Sequence, residues 1–342
     1  MAPRSATAIL FAILFQFVLA SNRKNIHPQN PYLTEIQSAK LEPLLVEMAT
    51  RNESALPKLE TSENANARKM TGYIVNGVET TAAQFPYQVA LMVDNRIFCG
   101  GSLIAADRVL TAGHCCQGYS SWVAYMGTTK LPPPGDVGTV TVKGKKCVIH
   151  GGYNKTYFFN DIAVLFLEQP LNESVLQSGR VRFIELVPST FNATNLKCNV
   201  SGWGLDKNSD KGGALLPRLN YVTLSVVQTS VCEEFYSLLL NTYKIICASG
   251  EGNRSTCQGD SGGPLVCRNP VSGRVVQVGV VSFGGASCTS SYPLGFTAVQ
   301  NYRQWIDEPL VYALSEAKKQ SKQSFANKKA GRGNKYNHQW HQ

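Results

Sequence analysis

The chain has 342 residues, 43% of them hydrophobic, which is enough apolar material for a sizeable core. Its formal net charge is +10, but residues 317–342 contain seven basic and no acidic side chains, which leaves +3 for the rest. Because the charge is concentrated in a terminal tail rather than on a folded face, the composition argues against a nucleic-acid-binding protein.

The first segment is typical of a secretory signal. Residues 6–20 are apolar, follow Arg4 and end in Val18-Leu19-Ala20. The run is too short to span a bilayer, and it predicts a signal peptide that is removed near Ala20. No later run in the sequence is long or apolar enough for a membrane helix, so we expect a secreted, extracellular protein without a membrane span.

The next segment, residues 21–73, is polar and contains no cysteine. Such a composition favours neither an independent domain nor a disulfide-knotted module. Without a cysteine, the segment also cannot stay tethered by a disulfide if the chain is cut after it.

From Ile74 to about Asp307, short β-branched runs alternate with Gly and Pro, which predicts an all-β protein. The predicted strands are residues 88–93, 108–111, 138–142, 162–167, 219–227, 264–267 and 275–282. Residues 299–317 predict a C-terminal helix with a break or kink at Pro309. The lysine-rich tail after the helix is expected to be disordered.

All ten cysteines lie between Cys99 and Cys288. An even number of cysteines behind a secretory signal indicates a disulfide framework formed in an oxidising compartment.

Three short blocks supply the residue types that nucleophilic catalysis by serine requires. His114 lies in the block 111–115, Asp161 in 160–165 and Ser261 in 259–264. A serine hydroxyl is a poor nucleophile until a base removes its proton, and the base needs a group that orients it. The glycines that flank Ser261 allow a tight turn with free N–H groups. Alone, a serine between glycines is usually a turn residue, and an aspartate at a strand edge is often only a solvated charge.

The order of these blocks resembles that of the chymotrypsin/trypsin-like serine protease family, with the sequence style of its insect members. Further matching blocks run from Ile74 to about Trp305, roughly two thirds of the chain. They are residues 74–77, 84–88, 99–104, 201–204 and 282–284. The resemblance implies two six-stranded antiparallel β-barrels, a C-terminal helix and an active site between the barrels. His150, the other histidine of this region, is expected to be a loop residue.

The resemblance also implies a serine endopeptidase in which Ser261 is the nucleophile, His114 the general base and Asp161 the group that orients His114. The backbone N–H groups of Gly259 and Ser261 would form the oxyanion hole. Ser282, Phe283 and Gly284 would pair with the substrate backbone as an added strand.

Specificity in this family depends largely on the residue six positions before the nucleophile, here Ser255. Because Ser255 carries no charge, we do not expect a preference for Lys or Arg. Gly284 leaves one wall of the pocket open, whereas Leu294 stands where the family usually has a small residue. We therefore expect a chymotrypsin-like preference for Leu, Met, Phe or Tyr ahead of Trp, which Leu294 could shift towards smaller side chains.

The resemblance predicts a zymogen. Cleavage after Tyr73 would free the amino group of Ile74, which would pair with Asp260 beside the nucleophile. The expected organisation is a signal peptide over 1–20, a propeptide over 21–73, a peptidase domain over 74–310 and, over 311–342, the end of the C-terminal helix with the basic tail.

By the same resemblance, Cys99 pairs with Cys115, Cys198 with Cys267, Cys232 with Cys247, and Cys257 with Cys288. Cys116 and Cys147 remain, and by count they predict a fifth bridge. We expect no cofactor and no metal site, because the loop over 126–144 contains Asp136 as its single carboxylate, too few for calcium.

The expected partners are polypeptide substrates and protein protease inhibitors, and we expect a monomer that binds no nucleic acid. The basic tail could bind acidic polymers. An alternative hypothesis is a catalytically restricted or silent homologue that binds an acidic polysaccharide or a partner protein through that tail.

Overall fold

Strands form most of the regular secondary structure in the computed structural model, which describes residues 75–133, 135–207, 211–236, 244–285 and 287–311. The predicted signal peptide, the propeptide, Ile74 and the basic tail lie outside the described residues. The strands are β1 Val78–Glu79, β2 Gln88–Val93, β3 Ile97–Ala105, β4 Arg108–Thr111, β5 Trp122–Met126, β6 Val140–Ile149, β7 Ala163–Leu167, β8 Glu185–Leu186, β9 Lys197–Gly202, β10 Asn220–Val227, β11 Ile245–Gly250, β12 Pro264–Arg268, β13 Val275–Phe283 and β14 Leu294–Ala298.

The helical elements are short. They are the 3₁₀ turns Gly113–Cys115 and Val299–Tyr302 and the α-helices α1 Glu173–Gln177, α2 Thr229–Tyr236 and α3 Arg303–Asp307. In the described part of the chain, no helix combines the length and the apolar character that crossing a membrane requires.

The first barrel closes from six antiparallel strands in the order β2-β3-β4-β7-β6-β5. Its core contains the fully buried side chains of Leu91, Leu103, Leu110 and Leu165. The register of β6 and β7 shifts after Gly144, where a Cβ would lie 2.7 Å from Leu165 Cδ1 and 3.0 Å from Trp122 Cβ, so glycine fits this position without displacing packed side chains.

The second barrel closes in the order β10-β11-β14-β13-β12-β9, because β9 pairs with both β10 and β12. Two short strands extend it: β1 adds to β10, and β8 pairs with β13 in the parallel direction. Its core includes Trp203, Leu224, Leu265 and Phe296. The predicted fold of two six-stranded antiparallel barrels is thereby confirmed.

Buried hydrogen bonds join the two barrels. Ser102 of β3 donates to Gln277 Oε1 of β13 at 2.7 Å. Ser201 of β9 donates to Gln88 Oε1 of β2 at 2.6 Å. Because each bond satisfies buried polar atoms from both barrels, the barrels are held in one relative position.

Five disulfides link the cysteines, and no free cysteine remains. They join the same pairs that the sequence analysis gave: Cys99–Cys115, Cys116–Cys147, Cys198–Cys267, Cys232–Cys247 and Cys257–Cys288. Two of the bridges anchor the turn that carries His114, because Cys115 is bound to β3 and Cys116 to β6.

The C-terminal helix is present but is not continuous over 299–317. The 3₁₀ turn Val299–Tyr302 leads into α3, and Glu308 then adopts φ −131° and ψ 52°, outside the helical region. The reason is Pro309, which disfavours helical geometry in the residue before it. Residues 312–317 of the predicted helix lie outside the described part of the chain.

Candidate active site

His114 lies in the 3₁₀ turn after β4, at the end of the first barrel. Its Nδ1 is 2.8 Å from Asp161 Oδ2, and its backbone N–H donates to Asp161 Oδ1 at 2.9 Å. The His114 side chain is 24% exposed, whereas that of Asp161 is fully buried. The imidazole is therefore fixed at one edge and open to solvent at the other.

Asp161 lies just before β7, and both barrels hold it. Ser282 Oγ of β13 donates to Asp161 Oδ2 at 2.6 Å, and Thr297 Oγ1 of β14 donates to the Asp161 carbonyl at 2.7 Å. The Ser282 hydroxyl and the His114 backbone N–H compensate the carboxylate for its burial, whereas Thr297 satisfies the backbone carbonyl. The sequence analysis assigned Ser282 to substrate binding but did not identify Thr297, which is 136 positions from Asp161.

Asn160 positions the backbone ahead of Asp161, and the sequence analysis missed this function. Asn160 adopts a left-handed φ of 51° and donates from Nδ2 to the Gly152 carbonyl at 2.6 Å. Its Oδ1 accepts from Lys244 Nζ at 3.1 Å and Tyr302 Oη at 3.0 Å. The available signal was an asparagine, a residue that tolerates this conformation, directly before the aspartate.

Tyr153 also packs beside Asp161. Burial raises the pKa of the Tyr153 hydroxyl to about 12, and the nearby charge of Asp161 adds to the shift. The phenol therefore stays neutral under ordinary conditions beside the carboxylate.

The turn that presents Ser261 needs glycine on both sides. Gly259 and Gly262 have φ values of +99° and +81°, which other residues rarely adopt. A Cβ on Gly262 would overlap the Thr111 hydroxyl and crowd the Gly100 carbonyl. The Ser261 carbonyl in turn accepts from Gly100 N at 2.7 Å. The turn is therefore packed closely against the first barrel.

Two N–H groups of this turn are available to a ligand. Asp260 N donates to the Cys257 carbonyl at 3.1 Å. Among the described residues, neither Gly259 N nor Ser261 N has a backbone acceptor. They are the pair predicted to form the oxyanion hole.

Asp260 is a completely buried carboxylate. It accepts from Gly204 N at 2.9 Å and from Cys257 N at 3.0 Å. Burial raises its pKa to about 6, although the two hydrogen bonds act in the opposite direction. Within the described ranges, no cationic side chain forms an ion pair with it.

A cavity of about 250 Å³ opens beside Ser261. Gly284 and Leu294, two of the three predicted pocket residues, line it together with Ser282 and Phe283. Leu294 Cδ2 lies 3.0 Å from the position that a Cβ on Gly284 would occupy, so the leucine narrows the space next to that glycine.

Ser255, the third predicted pocket residue, is buried behind the lining. Its hydroxyl donates to the Thr256 carbonyl at 3.0 Å, and its N–H donates to the Val75 carbonyl at 3.3 Å. Thr256 lines the cavity in its place, as does Phe158, whose ring packs edge-on against His114 at 5.9 Å. Neither of these two was predicted.

A larger cavity of about 410 Å³ lies against α3 and contains none of the predicted site residues. Its arginines already bind protein carbonyls: Arg303 donates to Leu186 O at 2.7 Å, and Arg108 to Asp307 O at 3.3 Å. The smaller cavity beside Ser261 is therefore the candidate active site.

One group of potential metal ligands occurs at this site. Cys99, His114 and Cys115 bring ligand atoms within 4.8 Å of one another. The two sulfurs are bonded to each other, so they cannot act as the thiolates that a metal would need.

Comparison with known proteins matches one family over most of the chain. Residues 74–306 match the family model described as Trypsin. Kallikrein-4 from Homo sapiens is 33% identical over 236 residues, which cover 69% of this chain and 86% of that protein. Chymotrypsin from Phaedon cochleariae is 36% identical over 237 residues, covering 68% and 80% respectively. Trypsin alpha from Drosophila melanogaster is 36% identical over 246 residues, covering 70% and 88%.

Proposed function

The chain belongs to the trypsin family and is a serine endopeptidase that acts on polypeptides; from this premise we propose that it is a secreted zymogen with the catalytic triad Ser261, His114 and Asp161. The observation that carries the triad is the 2.8 Å contact between His114 Nδ1 and the fully buried Asp161 carboxylate. Two residues that line the cavity together with Ser261 contact this pair: Ser282 donates to Asp161, and the Phe158 ring packs against His114.

In the proposed reaction, Ser261 Oγ attacks the carbonyl carbon of the peptide bond while its proton moves to His114 Nε2. Asp161 keeps the proton on Nδ1 and stabilises the imidazolium. The oxyanion is bound by Gly259 N–H and Ser261 N–H. His114 then gives its proton to the leaving amine, and water hydrolyses the acyl-enzyme by the same steps in reverse.

The substrate would lie along Ser282–Gly284 as an added strand, with the side chain before the cleaved bond in the 250 Å³ cavity. The described lining contains no acidic side chain to pair with Lys or Arg. We therefore propose cleavage after Leu, Met, Phe or Tyr in preference to Trp, because Leu294 narrows the cavity beside Gly284.

A comparison with Ser261→Ala tests the catalytic assignment. Amide hydrolysis by the activated variant should fall by several orders of magnitude, while its thermal unfolding stays close to wild type. Ser272→Ala, in an exposed turn, is the matched control and should retain full activity. Near-normal turnover by Ser261→Ala would exclude this triad.

We propose that activation begins with cleavage after Tyr73. The new amino group of Ile74 would pair with Asp260, whose buried carboxylate lacks a cationic partner within the described residues. The sequence has Thr71-Gly72-Tyr73 before Ile74 rather than Lys or Arg, so the activating enzyme would be the protein itself or another protease of chymotrypsin-like preference.

The test uses the Ser261→Ala precursor, which cannot cleave itself. A trace of active wild type should yield a chain that begins at Ile74, whereas trypsin should not. Tyr73→Arg in the same background is the matched variant and should become a trypsin substrate at this bond. A new terminus at Ile74 with trypsin alone, before Tyr73 is replaced, would contradict self-activation.

Secretion is proposed from the apolar segment over 6–20 together with the five disulfides, which suit an oxidising compartment. Analysis of culture medium for a product whose N-terminus lies near residue 21, before activation, tests this proposal and the predicted boundary of the propeptide.

A further inference from the structure

Aromatic rings extend away from the cavity along one rim. Phe283, at the end of β13, packs edge-on against Tyr236 of α2, with ring centroids 5.2 Å apart. Next to Tyr236 in the chain, Phe235 meets Tyr292 at 6.2 Å and an interplanar angle of 73°. The rim is therefore apolar beyond the lining of the cavity itself.

Tyr292 lies directly against the backbone that continues the substrate-pairing strand. A Cβ on Gly285 would overlap Cγ of the Tyr292 ring, so the ring covers the face of that glycine. Gly285 follows Gly284, the last residue assigned to substrate pairing, and itself lines the cavity.

The platform beneath the two rings is well fixed. Tyr236 Oη donates to the Pro293 carbonyl at 2.5 Å, which ties α2 to the segment that holds Tyr292. The disulfide Cys232–Cys247 ties the same helix to β11. A fixed surface loses little conformational entropy when a ligand binds to it.

Despite this support, the outer two rings face solvent. Phe235 is 51% exposed and Tyr292 37% exposed, whereas Phe283, further in, is less exposed than either. An exposed pair of aromatic side chains next to a binding cleft is typical of a surface that a ligand covers.

The direction of the substrate indicates which part of it would reach these rings. Pairing along Ser282–Gly284 accounts for three residues before the cleaved bond, so Gly285 lies beside the fourth. The Phe235 ring centroid lies 6.2 Å from that of Tyr292, and a strand advances about 3.3 Å per residue, so an extended substrate needs at most about two further residues to pass both rings.

We propose that Phe235 and Tyr292 form an aromatic subsite that binds an apolar or aromatic side chain four to six residues before the cleaved bond. This inference rests on the proposed function, because it assumes that the substrate pairs with β13. It would make the enzyme selective for extended polypeptides and not only for the residue at the bond.

Matched peptide amides test the subsite with the activated wild-type enzyme. One peptide has three residues before the cleaved bond. A second has seven, with alanine at the four added positions, and three more place a single phenylalanine at the fourth, fifth or sixth position. We expect kcat/KM to rise roughly threefold to tenfold for at least one phenylalanine peptide over the alanine peptide.

Variants then assign the effect to the two rings. In Phe235→Ala and Tyr292→Ala, the ratio of kcat/KM for the phenylalanine peptides to kcat/KM for the alanine peptide should fall close to one. Phe235→Leu should keep part of the wild-type ratio. Phe183→Ala removes a ring that is 45% exposed in the segment between α1 and β8, and it should keep the wild-type ratio. Because both peptides are measured with the same variant, a general loss of activity would leave this ratio unchanged.

Three outcomes would contradict the inference, and they separate failure of the subsite from failure of the proposed function. Cleavage of every peptide with a ratio near one at all three positions, or an unchanged ratio in Phe235→Ala, overturns the subsite alone. Failure of the activated enzyme to cleave even the three-residue peptide overturns the proposed function as well.

Discussion

Two buried carboxylates have different surroundings: Asp161, which contacts His114, and Asp260, which directly precedes Ser261. Asp161 accepts from the His114 ring, from the His114 backbone and from Ser282, so its charge is well compensated. Asp260 accepts from two backbone N–H groups alone among the described residues, and burial raises its pKa to about 6. In the described fold, burial therefore disfavours the charged form of the Asp260 carboxyl group.

This difference predicts a pH dependence of stability for the precursor. The Asp260 pKa is raised from about 3.9 in the unfolded chain, so the folded state binds more protons between pH 4 and 6. The contribution of Asp260 is complete below pH 4 and is lost as the pH rises through 6, a change of roughly 3 kcal/mol. Urea unfolding of Ser261→Ala should show this decline relative to Ser261→Ala/Asp260→Asn. Parallel curves for the two variants would contradict the burial argument.

Leu294 governs the size of the pocket if the specificity proposal holds. Leu294→Gly would remove the side chain whose Cδ2 crowds Gly284, and kcat/KM for cleavage after Trp relative to Leu should rise about tenfold or more. Leu294→Ile keeps the volume and serves as the control. An unchanged ratio in the glycine variant would mean that Leu294 does not shape the pocket.

At the scale of elements, the loop between β5 and β6 is organised by one side chain. Asp136 Oδ2 accepts from Thr129 N at 2.7 Å, Thr129 Oγ1 at 2.8 Å and Lys130 N at 3.2 Å. Burial alone would raise the Asp136 pKa, but these hydrogen bonds lower it to about 2. The carboxylate thus orders this loop through its hydrogen bonds to Thr129 and Lys130.

Asp136→Asn should lower the free energy of unfolding by about 1–2 kcal/mol, because the amide can accept fewer of these bonds. Since the folded pKa is depressed, the contribution is present above pH 4 and is lost as the pH falls towards 2. Thermal unfolding at pH 7 and at pH 3 measures both effects. Asp107→Asn, at a carboxylate whose side chain is 48% exposed, is the control and should change stability little.

The sequence predicted strands best where their apolar pattern is undisturbed. The predicted ranges of β2 and β4 agree with the observed bounds. β3 was missed because Gly100 and Gly101 are poor strand formers. At Gly100, glycine is needed because of tertiary packing, since a Cβ there would come within 2.9 Å of Gly263 Cα. β6 was predicted over 138–142 but spans Val140–Ile149, because exposed lysines interrupt its hydrophobic pattern.

The sequence indicated His114, Asp161 and Ser261 as candidates because they stand in short blocks of distinctive composition, and the structure brings His114 into contact with Asp161. The sequence did not indicate their supporting contacts. Thr297 and Lys244 come from strands and turns far along the chain, and ordinary threonines and lysines carry no local signal for such contacts. Only the closing of both barrels brings them to Asp161 and Asn160.

For the whole molecule, we expect the interface between the barrels to determine how cooperatively the two barrels unfold. Ser102 and Gln277 are both buried, and their 2.7 Å bond crosses this interface. Gln277→Leu would leave the Ser102 hydroxyl without its acceptor, at a cost of about 1–3 kcal/mol. Because Ser102 and Gln277 belong to different barrels, we expect the substitution to destabilise both barrels together.

A double-mutant cycle with Ser102→Ala and Gln277→Leu tests this prediction. We expect a coupling of about 1 kcal/mol and a single unfolding transition for all four proteins. Of the four tryptophans, Trp122 lies in β5 of the first barrel and Trp203 directly follows β9 of the second. Fluorescence of variants that keep one of these two, with Phe at the other three tryptophan positions, therefore reports on each barrel separately. Two separated transitions would contradict the cooperative interface.

Ser255 donates its N–H to the carbonyl of Val75, and Asn76 Nδ2 donates to the carbonyls of Gly252 and Asn253, in the segment just before Ser255. The residues that follow the proposed cleavage point are therefore joined directly to the chain behind the substrate cavity. Thermodynamic linkage then requires reciprocity: to whatever extent insertion of the new terminus tightens substrate binding, a bound substrate or inhibitor tightens the insertion by the same factor. A saturating pocket ligand should thus protect the new terminus from aminopeptidases and favour the active conformation in chains that have already been cut.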